Sequence, residues 1–167
     1  MATVRLVSKE GTHIDLPKEL AVKCGLFKTM LEDAPDDEEL PVPSVNEPIM
    51  RIVIEYLQHI SEPGYSKTNI ERPVKSGNFT ELVPAWEAHF TDKPYTELWE
   101  MVSAGVFLDM KDFYELAAAK LASVIKGKPA EEIRQLFGIV NDLTPEEIVK
   151  IQEENKWAAA PLAPPTN

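Results

Sequence analysis

The sequence predicts an α+β fold, a small sheet near the N-terminus with helices packed on it, followed by two further helices at the C-terminus. Three observations carry this. Val4 and Leu6, then Ile14 and Leu16, alternate with polar neighbours as half-buried strands do. Ile49, Ile52, Val53, Tyr56, Leu57 and Ile60 fall on one face of a helix. Thr144-Pro145-Glu146-Glu147 carries a cap, a proline suited to a first helical turn and a glutamate placed to close a capping box.

Taken in order, the first two strands form a hairpin across Ser8-Lys9-Glu10-Gly11. Pro17 opens a short helical segment through Cys24, where Gly25 interrupts it. Leu26, Phe27, Met30 and Leu31 suit another turn or two of helix. Glu32 to Glu39 holds six acids in eight residues, a charge density that predicts a solvated, flexible loop at about 33–39. No spaced calcium-loop pattern organises these acids. Leu40-Pro41-Val42-Pro43 reads as a short edge strand. Asn46 is positioned to cap the helix that carries Ile49 to Ile60.

Residues 61–80, with Pro63, Gly64, Pro73 and Gly77 among polar side chains, predict a flexible loop or linker. Order is expected to resume at Leu82, with Trp86 and Phe90 on a helix. A further helix runs from Thr96 to Phe107, turning Leu98, Met101, Val102 and Gly105 inward. Asp109 is expected to cap the next, whose Phe113, Leu116, Ala117, Leu121, Val124 and Ile125 lead to a stop at Gly127. Pro129, Glu131 and Glu132 mark the start of the first C-terminal helix, with Ile133, Leu136 and Phe137 as its apolar face. The second is expected to run from Pro145 through Ile148, Val149 and Ile151 to Trp157. The boundaries are therefore 1–126 for the α+β domain, 127–157 for the C-terminal helices and 158–167 for a disordered Ala- and Pro-rich tail.

The chain has 167 residues, 44% of them hydrophobic, and a formal net charge of −11. That supports one core-bearing domain with a short appendage. The negative charge disfavours nucleic acid and anionic membrane surfaces as partners. No apolar run approaches the ~18 residues that a spanning helix needs. The first residues lack the basic cap and apolar stretch of a signal peptide, so an intracellular protein is expected. Cys24 is the one cysteine, which leaves no internal disulfide. Asn78-Phe79-Thr80 matches a glycosylation pattern, read as chance in an intracellular protein.

Catalytic signals are weak. His13, His59 and His89 are scattered without metal-ligand spacing, so neither a metal nor a cofactor is expected. There is no nucleophile elbow and no phosphate-binding glycine loop. Cys24 reads as a buried thiol rather than a nucleophile, although an enzyme using Cys24 or the acidic clusters is the remaining catalytic alternative. Trp157, late in a short helix among polar and acidic residues, is placed as partner-binding anchors are. Residue physics alone leaves core and interface equally open for this segment.

Val4-Arg5-Leu6 with Gly11, Lys28-Thr29-Met30-Leu31-Glu32-Asp33 before the acids, and Pro41-Val42-Pro43 form one dense group of signature residues. Pro84 and Trp86 form a smaller one. Ile125-Lys126-Gly127-Lys128, Glu131-Glu132-Ile133-Arg134, Phe137, Asn141-Asp142, Glu154-Asn155 and Trp157 form the largest. Together these resemble the S-phase-kinase-associated protein (Skp) adaptor family of SCF ubiquitin ligases, in the BTB/POZ-like class that includes elongin-C. Elongin-C is the less similar branch, since it lacks the two C-terminal helices.

The resemblance implies a BTB/POZ-like domain plus two helices and a non-catalytic role in protein ubiquitination and degradation. It implies that one face binds the N-terminal region of a cullin, near Val106 and Phe107. It also implies that the C-terminal helices clasp F-box proteins through Ile125, Ile133, Phe137, Ile139 and Trp157, with Asn141 and Asp142 at the groove edge. Two departures stand out. The family commonly has Asn-Tyr where this chain has Val106-Phe107, which removes two polar handles. Its Thr-Pro is replaced by Lys128-Pro129-Ala130, so modification of that proline is not carried over. An F-box-binding subunit of a non-ligase complex, without cullin binding, is the alternative. Self-association of the free protein and residence in cytoplasm and nucleus are further expectations.

Overall fold

The computed structural model describes residues 2–33 and 39–159. The expected acidic loop falls largely on 34–38 and the expected tail largely on 160–167, both outside the described residues. The chain divides into two units, Met1–Gly127 and Lys128–Asn167.

In the first unit, β1 (Thr3–Val7) pairs antiparallel with β2 (His13–Pro17) in the register Val4↔Leu16 and Leu6↔Ile14. Gly11 supplies the left-handed turn residue at φ 82°. β3 (Glu39–Pro41) pairs parallel with β1 on its other side, giving the order β2-β1-β3. Parallel pairing requires a long crossover, and β2 with two short helices provides it. These helices are α1 (Lys18–Ala21) and α2 (Gly25–Asp33). β3 is an edge strand, as expected for Leu40-Pro41-Val42-Pro43, although it ends at Pro41.

α3 (Glu47–His59) is capped by Asn46, whose side chain accepts from the Ile49 N–H at 3.0 Å. Its predicted stripe of Ile49, Ile52, Val53, Tyr56 and Leu57 is buried. The core joins that stripe to Val4, Leu6, Leu16 and Leu40 from the sheet, Phe27 from α2, and Leu98, Met101 and Phe113 from later helices. Three helices follow, α4 (Ala85–Phe90), α5 (Tyr95–Phe107) and α6 (Lys111–Ile125); α5 carries Leu98 and Met101, α6 carries Phe113, and α4 adds the buried Phe90. Tyr56 meets Phe113 edge-on at 5.2 Å between ring centroids.

Four expectations need correction. Helix does not continue from Pro17 to Cys24: α1 stops at Ala21, and Gly25 is the first residue of α2. Order resumes before Leu82, because Asn78 caps a 3-10 turn at Phe79–Glu81 and buries Phe79. There the Asn78 side-chain oxygen accepts from the Thr80 N–H at 3.3 Å and its hydroxyl at 2.8 Å, so the sequon-like triplet is a local cap. Asp109 does not cap α6. It adopts a left-handed conformation at φ 53° between α5 and α6, and Met110 occupies the cap position with no side-chain hydrogen bond.

Trp157, finally, does not lie on the second C-terminal helix. In the second unit, α7 (Ala130–Phe137) ends at a left-handed Gly138, and α8 (Pro145–Glu154) begins with the predicted capping box. Thr144 Oγ1 accepts from the Glu147 N–H at 3.3 Å while the Glu147 carboxylate accepts from the Thr144 N–H at 2.8 Å. α8 stops at Glu154, so Trp157 lies on a separate 3-10 turn, Lys156–Ala159. The Asn155 side chain donates to the Ile151 carbonyl at 2.8 Å, using an acceptor at the end of α8.

Candidate functional site

Among the described residues of the first unit, three of the four exposed large apolar side chains lie on α5, the fourth being Val22 at the end of α1. Leu98, Met101, Ala104 and Gly105 face the core. Positions 99, 103 and 106 lie on the opposite stripe, at i, i+4 and i+7. Trp99 and Val106 are exposed there, Val106 at 61%, and Phe107 next to it is 38% exposed. Ser103, between them, turns its hydroxyl to the Trp99 carbonyl at 3.0 Å, which leaves the stripe less polar than its sequence suggests.

The corner after α5 is fixed from the inside. Gly105 sits so close to α6 that a Cβ there would lie 2.7 Å from Tyr114 Cβ and 2.8 Å from Phe113 Cδ1. Leu108 is fully buried, and its carbonyl accepts from the Leu26 N–H and the Cys24 thiol, each at 3.1 Å. The left-handed Asp109 packs against Gly25, where a Cβ would come within 2.8 Å of Asp109 Cβ. Val106 and Phe107 therefore project from a corner tied to α2. Burial, with the Asp109 carboxylate adding to it, pushes the Cys24 thiol up to about 11. A thiol so held is neutral near pH 7 and acts as a donor, not a nucleophile.

The second unit has a different character: among its described residues from 128 to 157, none is buried. Ile133, Leu136 and Phe137 are half-buried on α7. Ile139, Val140, Val149, Ile151 and Trp157 are exposed, Trp157 at 79%. Gly138 reverses the chain after Phe137, and the Ile139 N–H closes the turn on the Arg134 carbonyl at 2.8 Å. Asn141 and Asp142 are exposed, and the Asn141 side chain accepts from the Leu143 N–H at 3.3 Å. The Glu147 carboxyl is held below its ordinary value, chiefly by the Thr144 backbone N–H.

Of the residues predicted for F-box binding, Ile133, Phe137, Ile139, Asn141, Asp142 and Trp157 lie in this second unit. Ile125 is the last residue of α6 in the first, where it is half-buried. Val106 and Phe107, predicted for cullin binding, are adjacent and outward at the end of α5. Sequence reasoning did not single out Trp99 or Val140. Trp99 had a readable signal, a large apolar residue seven positions before Val106 on the face away from Leu98 and Met101.

The histidines are dispersed. His13 is exposed beside Glu39, His89 lies in α4, and His59 stacks on Trp86 with ring centroids 3.5 Å apart. Among the described residues, no three His, Cys, Asp or Glu side chains are gathered as a metal ion would require. No helix among them is long and apolar enough to cross a membrane.

Two family models match the chain: the Skp1 family tetramerisation domain, of POZ type, over residues 2–62, and the Skp1 family dimerisation domain over 111–158. The fold is thus of the BTB/POZ-like α+β class, with a helical C-terminal extension. Relatives agree over most of the length. The S-phase kinase-associated protein 1 homolog of Tetrahymena thermophila is 39% identical over 156 residues, 93% of each chain. The E3 ubiquitin ligase complex SCF subunit sconC of Neosartorya fischeri is 36% identical over 159 residues, 95% of this chain and 99% of that protein. The sconC subunit of Arthroderma benhamiae is 35% identical over 156 residues, 93% of this chain and 94% of its own. The chain belongs to the Skp1 family.

Proposed function

We propose that this chain is a non-catalytic adaptor of an SCF-type E3 ubiquitin ligase, binding a cullin scaffold through the first unit and F-box substrate receptors through the second. The observation that carries the reading is the second unit's surface. Its described side chains include no buried residue, yet Trp157, Ile139, Val140, Val149 and Ile151 lie open to water. Apolar residues in that state are stabilised by covering them, and an aromatic anchor with a polar rim is how protein partners do so. Asn141 and Asp142 would supply polar contacts at the edge.

The cullin contact would use Val106 and Phe107, with Trp99 extending the same stripe. Loss of the family's amide and hydroxyl makes this contact more apolar. The adaptor's work is geometric: it holds scaffold and receptor so that a substrate is presented for ubiquitination. Self-association is the expected behaviour of the free chain, and cytoplasm and nucleus its expected location. Neither nucleic acid nor a membrane is a proposed partner.

A second reading rests on Val106-Phe107 alone: an F-box-binding subunit of a non-ligase complex, with cullin binding lost. Native capture of the tagged chain, with Phe107→Ala and Trp157→Ala in parallel and mass-spectrometric identification, separates the two. The adaptor reading expects a cullin lost only with Phe107→Ala and F-box proteins lost with Trp157→Ala. F-box proteins without a cullin from the unaltered chain would establish the second reading instead.

A further inference from the structure

The first unit contains a cavity of about 890 Å³ between the loop of residues 65–74 and helices α3, α4 and α6. Its size falls in the range of roughly 300–1,000 Å³ typical of small-molecule sites. None of its lining residues belongs to the apolar surfaces assigned to a cullin or an F-box, so a role for the cavity is independent of that assignment. Tyr56, Tyr65 and Tyr114 line it, together with small side chains of α6.

The charges around the cavity are almost all paired. Lys67 meets Asp112, Arg72 meets Glu115, Lys111 lies 3.8 Å from Glu115, and Lys75 reaches Glu71 from outside. Glu87 differs. It is only 5% exposed, and the side-chain donor that reaches it is a neutral hydroxyl: Thr68 Oγ1 donates to Oε1 at 2.8 Å. Among the described residues no Lys, Arg or His nitrogen lies within 4.0 Å of it. A buried carboxylate is costly without a counter-charge, and a single neutral donor compensates only part of that cost. The lining holds four carboxylates (Glu71, Glu87, Asp112 and Glu115) against three cations (Lys67, Arg72 and Lys111), which disfavours an anionic occupant.

We propose that this cavity binds a small organic cation, an ammonium or guanidinium group on an apolar or aromatic body, with Glu87 as its counter-ion and the tyrosines as its walls. The tyrosine rings suit both halves of such a molecule, since their faces attract cations and their bodies are apolar. Thr68 would orient the carboxylate while leaving its other oxygen for the ligand. No covalent step is involved.

The test is a titration of the ¹⁵N-labelled full chain with phenethylamine, and with 2-phenylethanol as the uncharged counterpart, followed by two-dimensional NMR. Saturable shifts are expected for residues 65–74 and 111–122 with the amine, and affinity about tenfold or more lower for the alcohol. Glu87→Gln keeps the shape and an acceptor for Thr68, and should weaken the amine by a similar factor without changing the alcohol. Equal binding of amine and alcohol, shifts confined to other regions, or no shifts through the millimolar range would each overturn the proposal. So would an unchanged amine affinity in folded Glu87→Gln; should that variant not fold, the amine–alcohol comparison in the unaltered chain decides alone.

Discussion

Trp157 offers the sharpest test of the F-box reading, because its replacement by alanine should separate binding from folding. An indole side chain carries roughly 250 Å² of surface, and 79% exposure leaves most of it, about 200 Å², open in the free chain. At ~25 cal/mol per Å², complete covering would contribute about 5 kcal/mol. That is an upper bound, since ordering the side chain, leaving its rim wet and retaining a methyl group in the variant reduce it by about half. The expected loss is therefore about 2–3 kcal/mol, or a rise in Kd of roughly 30- to 150-fold. Because the side chain is so exposed, folding stability should change by no more than ~0.5 kcal/mol. Calorimetric titration with an F-box domain and urea denaturation of the free chain measure the two quantities. Phe137→Ala makes the contrast, since its half-buried ring should reduce both binding and stability. A Kd for Trp157→Ala within about threefold of the unaltered chain would refute the reasoning, as ~0.7 kcal/mol is too little for a central anchor.

Gly105→Ala should lower stability by about 1 kcal/mol, and by no more than ~2: the added methyl meets Phe113 and the Tyr114 backbone and Cβ, and an overpacking cost of ~1–3 kcal/mol is offset by the ~1 kcal/mol that alanine adds to a helix. Urea denaturation checks this, and equal or greater stability would show that α5 and α6 are less tightly joined. Thr144→Ala should destabilise α8 by about 1 kcal/mol, read as lost helical circular dichroism or local hydrogen-exchange protection. The Glu147 carboxyl in that cap should titrate below 4.5, so its contribution is present above pH 4.5 and lost as pH falls through its lower folded value. A midpoint at or above 4.5 by carbon NMR would contradict the capping geometry.

The parts of the fold legible in the sequence are those governed by local chemistry. The hairpin register follows from alternation of Val4, Leu6, Ile14 and Leu16. The α3 stripe follows from its spacing, and the start of α8 from four consecutive residues. The points that differ are those where a distant neighbour decides. Asp109 has the composition of a cap, yet the buried Leu108 and the approach of Gly25 place it in a left-handed bend. Gly25 has the composition of a helix breaker, yet it is the first residue of α2, and a glycine is required there because Asp109 leaves no room for a Cβ. Neither residue reveals the other in sequence, since they are far apart along the chain. At the candidate surfaces, Val106 and Phe107 follow from family resemblance alone, whereas in the C-terminal segment residue physics leaves core and interface open and the resemblance decides between them. Trp99 escaped that route because it belongs to none of the signature groups, and only the outward periodicity of α5 marks it.

The Gly25–Asp109 contact also bears on how a first-unit surface is kept in shape. An exposed apolar pair on a helix end would ordinarily fray, and a partner would then have to order it at an entropic cost. Here the turn after Phe107 is tied twice through the Leu108 carbonyl, to the Leu26 N–H and the Cys24 thiol, and Gly105 is clamped from behind by α6. Val106 and Phe107 are thus carried on backbone already fixed by buried neighbours. This division makes the outward residues replaceable without disturbing the corner that presents them. Cys24, read from the sequence as a buried thiol, has its place in that division: it donates inward on α2's side of the corner.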